Sequence, residues 1–225
     1  MPELFSASAR EPGLAAHFSR AARLAVAGLI LPPALLGAAS MLGRPVRSGV
    51  EAMAWAVSLA GFAAAGWVAG RRLSPRPAVA LQAAAAFAAG GAIVTPAFRA
   101  LQGLSGREPV TAVIGGTVAG FAVGFGLIGA ATALIAGVRG PGLRVAARHS
   151  VLGGGLGGLI ALLPYGWWHL GLTGPLAGYG QMAAAVVAIL GCIILPCRLL
   201  GAALTPSPAA ARNLPANGLE PPACR

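Results

Sequence analysis

The chain contains no lysine and no aspartate, and charged residues make up only 9% of its 225 positions. A soluble domain carries roughly a quarter charged residues, because its surface has to face water. A mean hydropathy of +0.78 would leave such a fold with large exposed apolar patches. Lipid is the solvent that fits. The missing lysine removes Schiff-base chemistry with retinal or pyridoxal phosphate, and the phosphate-gripping lysine of a P-loop. Without aspartate, a proton relay would rest on histidine or on the five glutamates, Glu3, Glu11, Glu51, Glu108 and Glu220.

Cysteine and histidine are scarce as well, with three of each. Cys192 and Cys197 stand five apart and Cys224 falls near the carboxy terminus, which is neither a disulfide framework nor a zinc pattern. No two histidines share a helical face at four-residue spacing, and no carboxylate stands beside one. All sixteen basic residues are arginine and the net charge is +11, but they fall between apolar runs. They never form a dense basic stretch with stacking aromatics, so nucleic acid is excluded as a partner. In a membrane protein the same charge meets anionic headgroups. No carboxylate pair, metal cluster or nucleophile with its base emerges, so neither an enzyme nor a cofactor is expected.

What is present is a succession of long apolar runs. They predict an all-α, polytopic integral membrane protein, a bundle of about six transmembrane helices packed through glycine and alanine. The spans read 24–42, 50–70, 78–97, 110–138, 151–170 and 176–204. Each meets the roughly 20 apolar residues needed to cross a hydrocarbon core about 30 Å thick. Helices satisfy their own backbone hydrogen bonds inside lipid, and these runs lack the alternation of barrel strands. Residues 1–23 read as a polar amino-terminal segment. The stretch 205–225, with Pro206, Pro208, Pro215, Pro221 and Pro222, reads as a disordered tail. A basic start before an apolar run resembles a secretory signal, but Pro32-Pro33 and the long extension oppose that reading.

Arginine sets the expected orientation. The segments containing Arg10, Arg20 and Arg23, then Arg71, Arg72 and Arg76, then Arg139, Arg144 and Arg148, then Arg198, Arg212 and Arg225 fall on one side. Only Arg44, Arg47, Arg99 and Arg107 fall on the other. The positive-inside rule then expects both termini in the cytoplasm. The expected location is a cell membrane, by preference a bacterial inner membrane.

The chain has 34 glycines. Gly116, Gly120 and Gly124 recur every four residues, Gly154 and Gly158 form a small-xxx-small pair, and Gly66 and Gly70 form another. Small residues let helix backbones approach closely in lipid. This pattern places the fourth and fifth spans at the centre of the bundle. A helix break across Gly153–Gly158, lining a cavity, is the functional alternative.

Polar candidates at membrane depth are few. Glu51, Gln82, Thr95, Arg99 and Gln181 are the residues expected to line a cavity or vestibule, with Glu51 and Arg99 able to pair across it. Tyr165, Trp167, Trp168 and His169 form an interfacial aromatic cluster, where amphipathic rings sit among headgroups and a pigment or quinone could bind. Gly103-Leu104-Ser105-Gly106 is similar to the serine motif of the rhomboid intramembrane proteases, and His149 with the glycines after it to that family's histidine helix. The expected topology separates Ser105 from His149 across the membrane, so they cannot act as nucleophile and base, and the family is set aside.

Two functions follow. A transporter or permease component would handle a neutral or apolar solute, since no mid-membrane charge exists for coupling. The alternative is a non-catalytic structural or assembly subunit of a larger membrane complex. The partners are lipid and other membrane subunits; the substrate is unknown. A polar cavity at mid-bilayer would favour transport, and a flat Gly/Ala face left uncovered would favour the subunit.

Overall fold

The computed structural model describes residues 13–41, 48–102, 109–169 and 175–205. These form seven helices: α1 (Leu14–Met41), α2 (Ser48–Leu73), α3 (Pro77–Gln102), α4 (Val110–Ile135), α5 (Pro141–Ala161), the short α6 (Leu163–His169) and α7 (Pro175–Leu204). Six of them are long and apolar enough to span a membrane. The protein is an all-helical, multi-pass membrane bundle.

Several boundaries differ from those read in the sequence, most of all those of α1 and α5. Helix α1 starts ten residues before the apolar run, because Phe18, Ala21, Ala22, Ala25, Val26 and Leu29 make a buried stripe at helical spacing. Arg20 and Arg23 lie on its exposed side. Helix α5 likewise begins at Pro141, not Val151, and ends at Ala161. Leu162 forms a turn before Pro164, which has no N–H to continue the ladder, and α6 carries the chain on. The stretch 153–158 is unbroken helix. Helix α4 stops at Ile135 through a Schellman cap: Gly137 takes φ 78°, its N–H reaches the Leu134 carbonyl, and Val138 N–H reaches the Ala133 carbonyl.

The spanning helices pack as a closed ring in the order α1, α2, α3, α4, α5, α7, with α7 returning to α1. Neither α4 nor α5 is central, as the glycine pattern led us to expect; each has two main neighbours like the others. Every neighbouring pair is antiparallel, which an even number of helices permits all the way round. Matching the residues in contact from Gly28 on α1 through successive helices leads back to α1 near Leu14, about 14 residues away. That offset is about 21 Å at 1.5 Å per residue. Spread round a ring of six axes spaced 8–10 Å apart, it gives each helix a tilt of roughly 20°.

Glycine stands at all six contacts. A Cβ on Gly61 would lie 2.7 Å from the Gly28 Cα of α1, and one on Gly70 2.7 Å from the Ala80 Cα of α3. Gly120 and Gly124 of α4 face Ala97 and Val94 of α3, while a side chain at Gly116 would meet open space. The predicted three-glycine stripe is therefore a two-glycine contact. Gly201 of α7 closes the ring against Ala15 of α1. Helix α5 packs both ways from one run: Gly154 and Gly158 against Phe121 and Val118 of α4, Gly153 and Gly157 against Pro196 and Cys192 of α7.

The ring encloses an apolar cluster drawn from all six helices. It includes Phe18, Phe62, Phe87, Val94, Phe121, Phe125, Ile128, Ala161, Ile193 and Leu200. The rings of Phe18 and Phe87 lie 6.5 Å apart although α1 and α3 are not ring neighbours, so they meet across the interior.

Gly158→Ala forces its methyl to 2.8 Å from the Val118 Cα, and overpacking of this kind costs about 1–3 kcal/mol. Gly116→Ala, in open space, gains up to about 1 kcal/mol of helix propensity. Thermal unfolding in detergent should therefore move down for the first variant and hold or rise for the second.

Candidate functional site

The polar residues expected to share a vestibule do not all face one place. Gln82 is exposed on the outer side of α3, beside the exposed Ala78, Leu81 and Ala85. Thr95 lies further along the same helix and is fully buried. Glu51 falls in the first turn of α2, Arg99 in the last turn of α3 and Gln181 early in α7. The pairing expected between Glu51 and Arg99 lies outside the described side chains. Trp167, Trp168 and His169 end α6 after the half-buried Tyr165, and the packing of those three side chains also lies outside the described residues. Ser105 does too. His149 is exposed, and its Nδ1 lies 2.8 Å from the Val145 carbonyl of its own helix.

Among the described residues the buried polar groups are five hydroxyls: Ser58, Thr95, Thr117, Thr132 and Ser150. Four of them divide into two kinds. Ser58 Oγ donates between the carbonyls of Gly28 (3.1 Å) and Ala54 (3.0 Å), so it ties α2 to α1 beside the Gly28–Gly61 crossing. Ser150 Oγ donates to the Ala146 carbonyl at 2.9 Å within α5. Both are satisfied by backbone and serve packing. Thr95 Oγ1 and Thr132 Oγ1 are buried with no hydrogen-bond partner in the protein. Such a group loses its hydration at a cost of about 1–3 kcal/mol.

A proline inside a helix leaves the carbonyl four residues back without its N–H partner, and Pro96 and Pro196 are two such cases. Pro96, next to Thr95, offers no N–H to the Ala92 carbonyl. Pro196 does the same to the Cys192 carbonyl, and there Gly157 of α5 lays its bare Cα directly against that oxygen. Any side chain at Gly157 would collide with that oxygen. At Thr95 a hydroxyl and an unclaimed carbonyl stand within one turn of each other. Neutral hydroxyls and carbonyls can hold the polar edge of an uncharged molecule or a water. They carry no acid–base or nucleophilic chemistry of their own.

The charged side chains among the described residues gather at one end of the ring. Arg20, Arg23, Arg71, Arg72, Arg76, Arg139, Arg144, Arg148 and Arg198 are all exposed there, grouped at the α7–α1, α2–α3 and α4–α5 junctions. Among the described residues no group of three His, Cys, Asp or Glu could hold a metal ion. The sequence placed Thr95 at membrane depth, but could not show that its hydroxyl, or that of Thr132, goes unpaired, because pairing depends on the neighbouring helix. Ser58 was missed altogether, since nothing in its own segment distinguishes it.

If the two threonine hydroxyls serve only the fold, Thr132→Val and Thr95→Val remove a desolvated group and raise stability by about 1 kcal/mol each. Ser58→Ala, which breaks a made interhelical bond, lowers it by about 0.5–1.5 kcal/mol. Unfolding of the three variants in detergent checks the opposite signs. A loss of stability in the threonine variants would show that water or a bound molecule already satisfies those hydroxyls.

Comparison with protein-family models, curated proteins and solved structures finds no match to this chain.

Proposed function

We propose that this protein is a non-catalytic structural or assembly subunit of a larger membrane complex, which docks another transmembrane helix on the outer face of α2. The observation carrying this reading is an asymmetry around the ring. Helix α2 leaves Ala52, Ala56, Ala60 and Ala64 exposed, one every four residues, and α3 beside it leaves Ala85, Ala89 and Ala92. The other side exposes bulky aliphatics, Leu152, Leu156 and Leu159 on α5, Leu163 at the start of α6, and Val186, Val187 and Leu190 on α7. Lipid tails pack against either kind of surface. A second helix backbone comes close only to the smooth one.

The described interior is filled by phenylalanines and aliphatics from every spanning helix, which favours an outward-facing role over a conduit. By the positive-inside rule we place the arginine-bearing end, with both termini, in the cytoplasm. A bacterial inner membrane is the setting we infer. The second reading is a transporter or permease component for a neutral or apolar solute. The unpartnered Thr95 hydroxyl beside Pro96 is what favours it.

Tagged full-length protein, extracted in mild detergent, should bring down integral membrane partners in fixed stoichiometry. Ala56→Leu with Ala60→Leu should lower their recovery at least tenfold, since each leucine overpacks a tight contact by about 1–3 kcal/mol. Leu152→Ala with Leu156→Ala, on the opposite face, should leave recovery unchanged. Purification of the wild-type chain alone would sink the subunit reading and return weight to transport, to be tested by solute flux in vesicles.

A further inference from the structure

The arginines at the charged end differ in what lies beside them. Several sit one helical turn from an exposed apolar side chain on the same face, which is how a surface meets headgroup and tail together. Arg71 and Arg72 stand four residues after Trp67 and Val68, whose exposures are 39% and 41%. Across the short connection, α3 contributes the exposed Leu81 and Gln82, and Arg76 projects from the connection itself. One corner of the ring therefore combines three guanidinium groups, a tryptophan, two exposed aliphatics and an amide.

The corner is also held in shape. Arg71 Nη1 donates to the Pro75 carbonyl at 3.0 Å, and Arg76 N–H donates to Ser74 Oγ at 3.2 Å. Arg71 thus folds the connection, leaving Arg72 and Arg76 exposed beside it. No carboxylate occurs anywhere from Ala52 to Arg107, so nothing within this segment competes for them. By contrast, Arg144 has Arg148 one turn on, and Arg139 belongs to a loop. At the α4–α5 junction Arg148 alone has an exposed apolar residue four places away, Leu152, where the α2–α3 corner offers two such pairs, and Arg139 and Arg144 have none at that spacing.

We propose that the α2–α3 corner is a binding site for one anionic phospholipid. Arg72 and Arg76 hold the phosphate, Trp67 sits at headgroup level, and Val68 and Leu81 lie along the acyl chains. The ligand is a membrane lipid and not free phosphate, because the guanidinium groups share their face with surface that only hydrocarbon covers well. A basic residue near an anionic surface contributes about a fivefold factor in affinity. Removing two therefore weakens retention by more than tenfold.

The test uses full-length protein in mild detergent, with phosphatidylglycerol retention read by native mass spectrometry and by thermal shift. Arg72→Gln with Arg76→Gln should lose bound lipid and its stabilisation, while Arg139→Gln with Arg144→Gln, the same loss of charge, should keep both. Trp67→Leu, which leaves every charge in place, should reduce retention by a smaller factor. Circular dichroism and a monodisperse elution establish that each variant is folded. Equal losses from the two double variants would overturn the site in favour of diffuse surface charge. Retention by the Arg72/Arg76 variant would overturn it outright. Displacement of the lipid by excess inorganic phosphate, or stabilisation by phosphate alone, would overturn the assignment to lipid.

Discussion

Helices already inserted in lipid gain nothing from hiding apolar surface, since the tails around them are equally apolar. What remains is dispersion between closely approaching backbones, which falls away within an ångström of lost contact. This constraint explains why glycine stands at all six contacts of the ring and why those at Gly61, Gly70, Gly158 and Gly201 have backbone on the far side. A methyl group at such points would push apart two helices whose association depends on their proximity. Ser58 strengthens one of these crossings with a hydroxyl that reaches the Gly28 carbonyl. The polar and the close-packed devices coincide there because a short side chain can bond across only where the backbones already touch.

The ring follows from having such contacts on two sides of each helix. Helix α5 shows how one short run supplies both. Gly153 and Gly157 share one face, Gly154 and Gly158 the next, about 100° round the helix. The first pair receives α7 and the second α4. The interior left over is too wide for glycine and alanine alone, and the large side chains go there. Phe18 and Phe87 meet across it, and Phe121 and Phe125 stack along α4 at 6.3 Å. Small residues between helices and large ones inside them are two halves of one packing solution.

Much of this was legible in the amino-acid sequence, and the losses have physical reasons. Six spans could be read because each is a run of continuous apolar character. The first turns of α1 could not, because Phe18, Ala21 and Ala22 alternate with Arg20 and Arg23, and an amphipathic stretch averages to nothing in hydropathy. The start of α5 at Pro141 was hidden by Arg144, Arg148 and His149 in the same way. Glycine spacing identified close contacts correctly at Gly66, Gly70, Gly120, Gly124, Gly154 and Gly158. It could not say that Gly116 faces open space, since spacing fixes which residues share a face but not whether a helix lies opposite. The unpaired hydroxyls of Thr95 and Thr132 are of the same kind: a fact about neighbours, absent from either segment alone.

The distribution of small residues bears on function more than their number does. On α5 the glycines at 153, 154, 157 and 158 are all turned to α4 and α7, and the side left over is leucine and valine. On α2 the glycines at 61, 66 and 70 are likewise taken up by α1 and α3, yet the outer side repeats alanine at the same four-residue interval. Internal packing accounts for the first pattern completely and for the second only in part. A helix that has already satisfied both ring neighbours gains no intramolecular stability from a third smooth face. An alanine-rich composition alone would spread that face evenly round the ring, but α5 and α7 do not share it. The surplus on α2 is therefore the feature least explained by the fold itself, and it is the one on which the proposed partner helix rests.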